Sequence, residues 1–405
     1  MTVFLTAVDP ADRRVVGDVH GLRLAAHAAD LPHLPRPCPA DLEGSLSVAP
    51  PATEIEEWAA YDVHGRCVAS VRLEFPLEEN TEAVTASVLV VHPAFRRRGV
   101  GTRIAELARD RAAAHRRSRI LLVTDAGPED PATTPGHHFA ARLGARPLAA
   151  FPHLRLHVDA APLPPPPPEP LRLRFWGSTV PEELVAQAAR LEATLSAEAP
   201  TGQMDWEPQP NAVSRIRDFE RMRIARGRRA YQCGVIDGRT GRMAAWTALS
   251  MTRTDPDNAL QAVTVVDPAY RGRGLGLLVK AHNLAACRAA EPRLTHVDTW
   301  NASENAHMLR INAGFGFVRT GTRSMWELGV RRSPGADAGR GAARPDTPPL
   351  DASDHAPFGT ERTSLPHHLH DERGAGTTRG TERESMRHRE PVRPTGRNAQ
   401  VRPHR

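Results

Sequence analysis

The chain is 405 residues long with 40% hydrophobic residues, beyond ordinary single-domain size and with material for two cores. Of its formal charge of +6, most lies in the stretch 331–405, with 14 Arg against 10 Asp and Glu, while the first 330 residues mix 39 basic with 37 acidic side chains, which argues against a nucleic-acid footprint. Cys38, Cys67, Cys233 and Cys287 stand far apart without a CxxC pair or a histidine at ligand spacing, so neither a zinc site nor a disulfide framework is indicated and no metal is expected.

The opening residues, MTVFLTAVDP, lack a basic lead and have too short an apolar run for a signal peptide, and no apolar stretch of membrane-spanning length follows. A soluble, cytoplasmic protein without membrane partners is expected. A polar turn, YDVHGR at 61–66, separates two apolar stretches, and VHPAFRRRGVG follows at 91–101. At 161–170, APLPPPPPEP contains five consecutive prolines, Pro164 to Pro168, which stiffen into polyproline II and read as a linker. Beyond it the pattern repeats. VDPAYRGRGLG at 266–276 matches the earlier segment at seven of eleven positions, 175 residues on, and the same offset lays IDGRTG at 236–241 over YDVHGR. One fold used twice is expected: 1–160, linker 161–170, 171–330.

In the second copy, PEELVAQAARLEATL at 181–195 has a proline start, acids in its first turn and an apolar face at helical spacing. RRAYQCGVID and RMAAWTALSMT flank the GRTG turn as a hairpin, and NALQAVTVVDP ends in a third strand. Then come a helix LLVKAHNLAACRAA, which holds the chain's one lysine, Lys280, a strand THVDTW, a helix ENAHMLRINAG and a last strand from Phe317 to Leu328. This order predicts a mixed α/β layer, a central sheet with helices on both faces. The tail 331–405 has one aromatic residue, Phe358, and is expected to be disordered.

The junction VTVVDPAYRGRGLG carries the chemistry. A strand ends at Asp267, and Gly272, Gly274 and Gly276 open a helix whose unsatisfied N–H groups suit a diphosphate, with Arg271 and Arg273 adding charge. A P-loop would need Gly-Lys-Ser/Thr, and Leu277 follows Gly276; a Rossmann turn would need GxGxxG directly off the strand. The R-x-x-G-x-G pattern instead resembles the acyl-CoA pyrophosphate loop of the GNAT superfamily, as do the element order over 171–330 and NAHMLRINAGFGF at 305–317. DTWNASENAHM further resembles actinobacterial tandem acetyltransferases related to mycothiol synthase. The resemblance implies two tandem GNAT folds, acetyl-CoA as co-substrate and a small-molecule primary amine as acceptor. It also implies cofactor contacts from Val265 and Val266 main-chain groups, from Arg271, Gly272, Arg273, Gly274, Leu275 and Gly276, and from Asn305.

The chain departs from that pattern at Asn312, which stands where many members of the family place a tyrosine acid. Asn312 can hydrogen-bond a leaving thiolate or serve packing. Asp298, on HVDTW, points either into the gap between the strands or away from it. Asp205 and Glu207, in TGQMDWEPQP, fall in the loop that shapes acceptor pockets in the family; with Trp206 they either suit a cationic amine or belong to an ordinary surface loop. The candidate catalytic set is therefore Asp298, Asn312 and Glu207. The first copy keeps Arg96, Gly99 and Gly101, but has Thr133, Ala140 and Ala145 in place of the asparagine, the acid and the turn phenylalanine, so catalysis there reads as lost. His137 and His138 open its later helix. The rival reading is a catalytically inactive CoA sensor or assembly module.

Overall fold

The computed structural model describes residues 1–198, 202–208 and 212–330; the tail expected to be disordered lies outside them. The first half runs β1 (Phe4–Ala7), α1 (Arg13–Asp30), α2 (Pro39–Ser47), β2 (Thr53–Tyr61), β3 (Cys67–Pro76), β4 (Ala83–Val91), α3 (Val100–Ala114), β5 (Arg119–Ala126), α4 (Pro135–Arg142) and β6 (Arg146–His157). The second repeats the order: β7 (Leu171–Trp176), α5 (Glu182–Glu198), α6 (Val213–Ala225), β8 (Arg228–Asp237), β9 (Met243–Thr252), β10 (Asn258–Val266), α7 (Leu275–Ala290), β11 (His296–Trp300), α8 (Ala306–Phe315) and β12 (Val318–Gly329).

Local chemistry sets these boundaries. Asp12 caps α1 by accepting from the N–H groups of Arg14 and Val15, and Val15, Val16, Val19, Leu22 and Ala26 form its buried stripe. Residues 243–251 of β9 are all buried, as a strand covered by helices on both faces requires. Met243 and Trp246 pack under α5 with Val185 and Leu191, while Ala244 and Ala245 pack under α7 with Leu278 and Val279.

All twelve strands form one sheet, in the order β1-β2-β3-β4-β5-β12-β6-β11-β10-β9-β8-β7. The last strand of each half has crossed into the other. β12 pairs antiparallel with β5 from Thr322↔Ala126 to Gly329↔Arg119, and β6 pairs with β11 from His296↔His157 to Trp300↔His153. Cores follow the crossing: Trp326 and Leu328 of β12 belong to the first half's core with Leu73, Phe75 and Ile104, whereas Leu154 and Leu156 of β6 join Leu284, Phe315 and Phe317 in the second.

Each half has one pair of parallel strands that parts. β10 and β11 are joined only from Asn258↔His296 to Leu260↔Asp298, and β4 and β5 only from Ala83↔Arg119 to Ala86↔Leu122. Where they part, the outer strand is bulged, between Gln261 and Val263 in β10 and between Ala86 and Val88 in β4. A bulge bends its strand, and here it turns β10 away from β11. The Gln261 amide fills the irregularity, with Nε2 at 2.7 Å from the carbonyl of Val263 and 2.8 Å from that of Ala248.

Candidate functional site

The parted end of β10 runs directly into the glycine loop. Asp267 ends the strand and is 1% exposed. Its carboxylate accepts from the N–H of Ala269 and forms ion pairs with Arg242 and Arg190, each at 2.8 Å. Burial would push that carboxyl up, but these contacts outweigh it and hold it below the usual range. Tyr270, which follows, donates its hydroxyl proton to Asp237 in the β8–β9 turn at 2.8 Å. The loop is thus pinned at both ends before it reaches the helix.

Gly272 and Gly274 have φ of +75° and +72°, the left-handed region that only glycine enters freely. Gly274 is the N-cap of α7 and, having no side chain, leaves the first-turn amides uncapped. Among the described residues, no atom beyond the adjoining residues lies within 4 Å of where a Cβ on either glycine would sit, so the loop presents open space and uncapped donors at the positive end of a helix. The residues fit a diphosphate. Arg271 ties the loop to the end of α5 through Glu198, and its Nε lies 3.4 Å from the Val266 carbonyl. Arg273 lies over the Tyr270 ring at 5.1 Å. Leu275 and Gly276 form the first turn of α7, with Gly276 set against Val266 and Ile311. Val265 is buried toward α5, and Val266 packs toward α7.

The other residues singled out in the sequence scatter. Asn305 is the N-cap of α8, its side-chain oxygen accepting from the N–H of Met308 at 3.0 Å. Asp298 is turned from α7 and α8: Val297 joins their core, so alternation sends Asp298 to the other face. There it is 1% exposed, gripped by Arg155 of β6 through bonds of 2.8 and 2.9 Å, with Nε2 of His153 also at 2.8 Å. Burial raises the carboxyl, but His153 and Arg155 outweigh it and hold it low. Glu207 sits on the first half. Its carboxylate accepts from the N–H of Asn80, the Asp205 carbonyl accepts from Arg119, and Trp206 and Met204 pack against Ala83, Leu121 and Leu148.

Asn312 is 1% exposed, and both ends of its amide are engaged. Its oxygen accepts from Lys280 Nζ at 2.5 Å, and its nitrogen donates to the Asn301 side chain at 2.7 Å. Lys280 is 3% exposed and lies over the rings of Phe317 and Phe315, at 4.8 and 5.7 Å. Burial pushes its ammonium down to about 7. Lys280 and Asn301 lie outside the candidate set drawn from the sequence; the lone lysine inside the apolar run LLVKAHNL is the signal that points to them.

The first half copies the loop closely. His92 and Asp267 share φ/ψ of −52°/131°, and Arg96 and Arg271 have −66°/160° and −66°/162°. Arg96 grips Asp30 at the end of α1 through bonds of 2.8 and 2.6 Å, as Arg271 grips Glu198. Gly99 caps α3 at φ +83°, but Arg97 holds φ +61° where the second half has Gly272. Of the later residues, Thr133 precedes α4, Ala140 is fully buried, and His137 packs edge-on against Trp326 of the exchanged β12 at 4.7 Å.

A cleft of about 410 Å³ lies between the segment after α1 and the joined end of β10 and β11, lined by Arg36, Cys38, Arg155, Asp255, Asn258 and His296 among others. Glu54, Glu56 and His115 bring ligand atoms within 4.8 Å of one another. Arg111 already occupies that cluster, bonded to both Glu56 oxygens, so it is an ion-pair group of the first half.

The fold is that of the acyl-CoA-dependent acyltransferases. The acetyltransferase (GNAT) family model matches residues 33–145. Among solved structures, a tandem GNAT protein from the clavulanic acid biosynthesis pathway is 32% identical, over 82% of this chain and 100% of that one, with a TM-score of 0.73. The chain belongs to the GNAT acetyltransferase family. A GCN5-related N-acetyltransferase from Sphaerobacter thermophilus, 15% identical over 82% and 96% of the two chains with a TM-score of 0.59, shares the fold. So does the glucosamine N-acetyltransferase region of a fungal multi-domain β-N-acetylglucosaminidase, 14% identical over 80% of this chain and 38% of that one, with a TM-score of 0.56. Comparison with curated proteins gave no match. No helix among the described residues is long and apolar enough to cross a membrane.

Proposed function

We propose that the chain is a cytoplasmic N-acetyltransferase that moves an acetyl group from acetyl-CoA to a primary amine of a small molecule, by direct transfer in a ternary complex in its second half. The observation that carries this reading is the uncapped N-terminus of α7, opened by Gly272 and Gly274 at the end of a strand that has just parted from its neighbour. The helix amides, with Arg271 and Arg273, hold the diphosphate, and main-chain groups of Val265 and Val266 meet the pantetheine arm. The nitrogen–carbon bond forms as the carbon–sulfur bond breaks, the ammonium proton passes to solvent, and the sulfur leaves as a thiolate that is then protonated. With Asp298 held by Arg155 and Glu207 held by Asn80, orientation of the two reactants supplies most of the acceleration.

Among tandem acetyltransferases, DTWNASENAHM supports a place near those related to mycothiol synthase.

Release of free thiol from acetyl-CoA in the presence of a panel of small primary amines tests the reading. Gly274→Val puts a β-branched residue at φ +72° and a side chain into the diphosphate space. It should weaken acetyl-CoA binding by about a hundredfold or more, the loss of two or more charge-assisted bonds. Unchanged affinity would overturn the loop assignment, and binding without thiol release for any amine would leave the inactive sensor as the reading.

The first half supports a second reading, that it also holds a CoA. A side chain at left-handed φ costs about 1 kcal/mol, yet Arg97 keeps the loop in the binding conformation. Acetyl-CoA titration of the Gly274→Val chain isolates this site: one remaining equivalent of bound ligand supports it, and none removes it.

A further inference from the structure

Lys280 is 3% exposed, has no carboxylate partner among the described residues and has no part in the acyl transfer described above. It donates to the Asn312 amide oxygen, while the Asn312 nitrogen donates to Asn301, the residue after β11. This chain of three side chains joins α7, α8 and the end of β11, three of the elements that wall the gap in which the thioester lies under the proposed function. A Cβ built on Gly276 in the first turn of α7 would lie 3.8 Å from Ile311, the neighbour of Asn312, and Asn312 itself bonds Lys280, one helical turn after Gly276.

An asparagine amide has two faces that differ chemically, an acceptor oxygen and a donor NH2, and in a buried site each rotation of the group is a distinct state. An ammonium, which can only donate and has no other polar partner among the described residues, selects the oxygen. We propose that Lys280 is a positioning residue: by holding the Asn312 oxygen toward α7 it fixes the amide NH2 toward the gap, where one N–H meets Asn301 and the second faces the departing sulfur. The inference rests on the acyl-transfer reading for its kinetic consequence, but the orientation it asserts belongs to the free protein.

The alternative, a lysine retained for packing, makes opposite predictions. Methionine matches the length of lysine and favours this aromatic surround, and removing a buried amine that lacks a counter-ion relieves a desolvation penalty. Because the variant exchanges that penalty for an unpaired Asn312 oxygen, Lys280→Met should melt near the wild type, bind acetyl-CoA within about twofold, and lose about tenfold in kcat, the worth of one hydrogen bond to the leaving group. In a cycle with Asn312→Ala, the double variant should lose no more than the single ones, because both remove the same oriented donor. A packing role would lower melting temperature and leave kcat intact, which would overturn the proposal.

Hydrogen exchange of the Asn312 side-chain amide, followed by NMR, reads the orientation without any turnover. Protection in the wild type should be lost in Lys280→Met. If the protection persists, the proposal fails whether or not the protein transfers an acetyl group. If it is lost as expected but the wild type releases no thiol, the orientation stands and the acyl-transfer reading fails.

Discussion

Two buried ionisable residues, Lys280 and Asp298, look alike in the sequence and do opposite things to the fold. Lys280 is stripped of solvent with no carboxylate among the described residues to offset the loss, so its pKa falls from 10.5 to about 7. Between these values the unfolded chain holds a proton that the folded chain does not, so stability rises with pH across about 7 to 10.5, by up to about 1.4 kcal/mol per unit. Denaturant titrations of the wild type and Lys280→Met at several pH values should show the wild type gaining on the variant as pH rises; a constant difference would mean that the amine is solvated. Asp298, by contrast, is compensated by Arg155 and His153. Asp298→Ala strands Arg155 and unties β6 from β11, at a cost of about 2–4 kcal/mol in urea unfolding. Full stability with turnover abolished would instead return Asp298 to the chemistry.

Among the elements, the ones that sequence made visible are those whose pattern is self-contained. The glycine loop, the β8–β9 turn, α7, β11 and α8 were each legible because a turn residue or a helical stripe announces itself locally. β7 and α6 were not. β7 is an edge strand whose LRLRFW alternation is short, and α6, VSRIRDFERMRIA, carries so many charges that only Ile216 and Glu220 are buried. Nor could periodicity reveal partners, since a strand's alternation says which face is apolar and not whose core receives it. That is why Glu207, in the loop that shapes acceptor pockets in the family, lies on the first half against Asn80, and why Arg155, which precedes the prolines, holds an aspartate that follows them. Leu156 of β6 tests the exchange at this scale. It is fully buried in the second half's core with Phe315 and Phe317, so Leu156→Ala should destabilise by about 2–5 kcal/mol. Hydrogen exchange should accelerate first in α8 and β11; acceleration confined to β4 and β5 would contradict the exchange.

For the whole molecule, the exchange means that the prolines divide the sequence but not the sheet. A chain of residues 171–330 alone would keep β7 to β11 and lose β6, leaving the far edge of β11 unpaired and Val297, Phe315 and Phe317 without Leu154 and Leu156 above them. Its β12 would have neither β5 nor β6 to pair with, and an exposed apolar edge of that length is a template for aggregation. The cleft would go as well, since Arg36 and Cys38 line it from the first half. The second half expressed alone should therefore aggregate, and the same should hold for residues 1–160, whose β5 would lack β12. Co-expressed, the two pieces should assemble as a soluble one-to-one complex, because each supplies the strand the other lacks. That complex should bind acetyl-CoA like the intact chain, with the Pro-rich connection acting only to raise the local concentration of one half near the other. Size-exclusion chromatography of the two pieces, separately and together, decides the matter. A folded monomer of 171–330 would mean that β12 can turn back beside β11, so that each half closes its own sheet and the exchange is one of two arrangements open to the sequence.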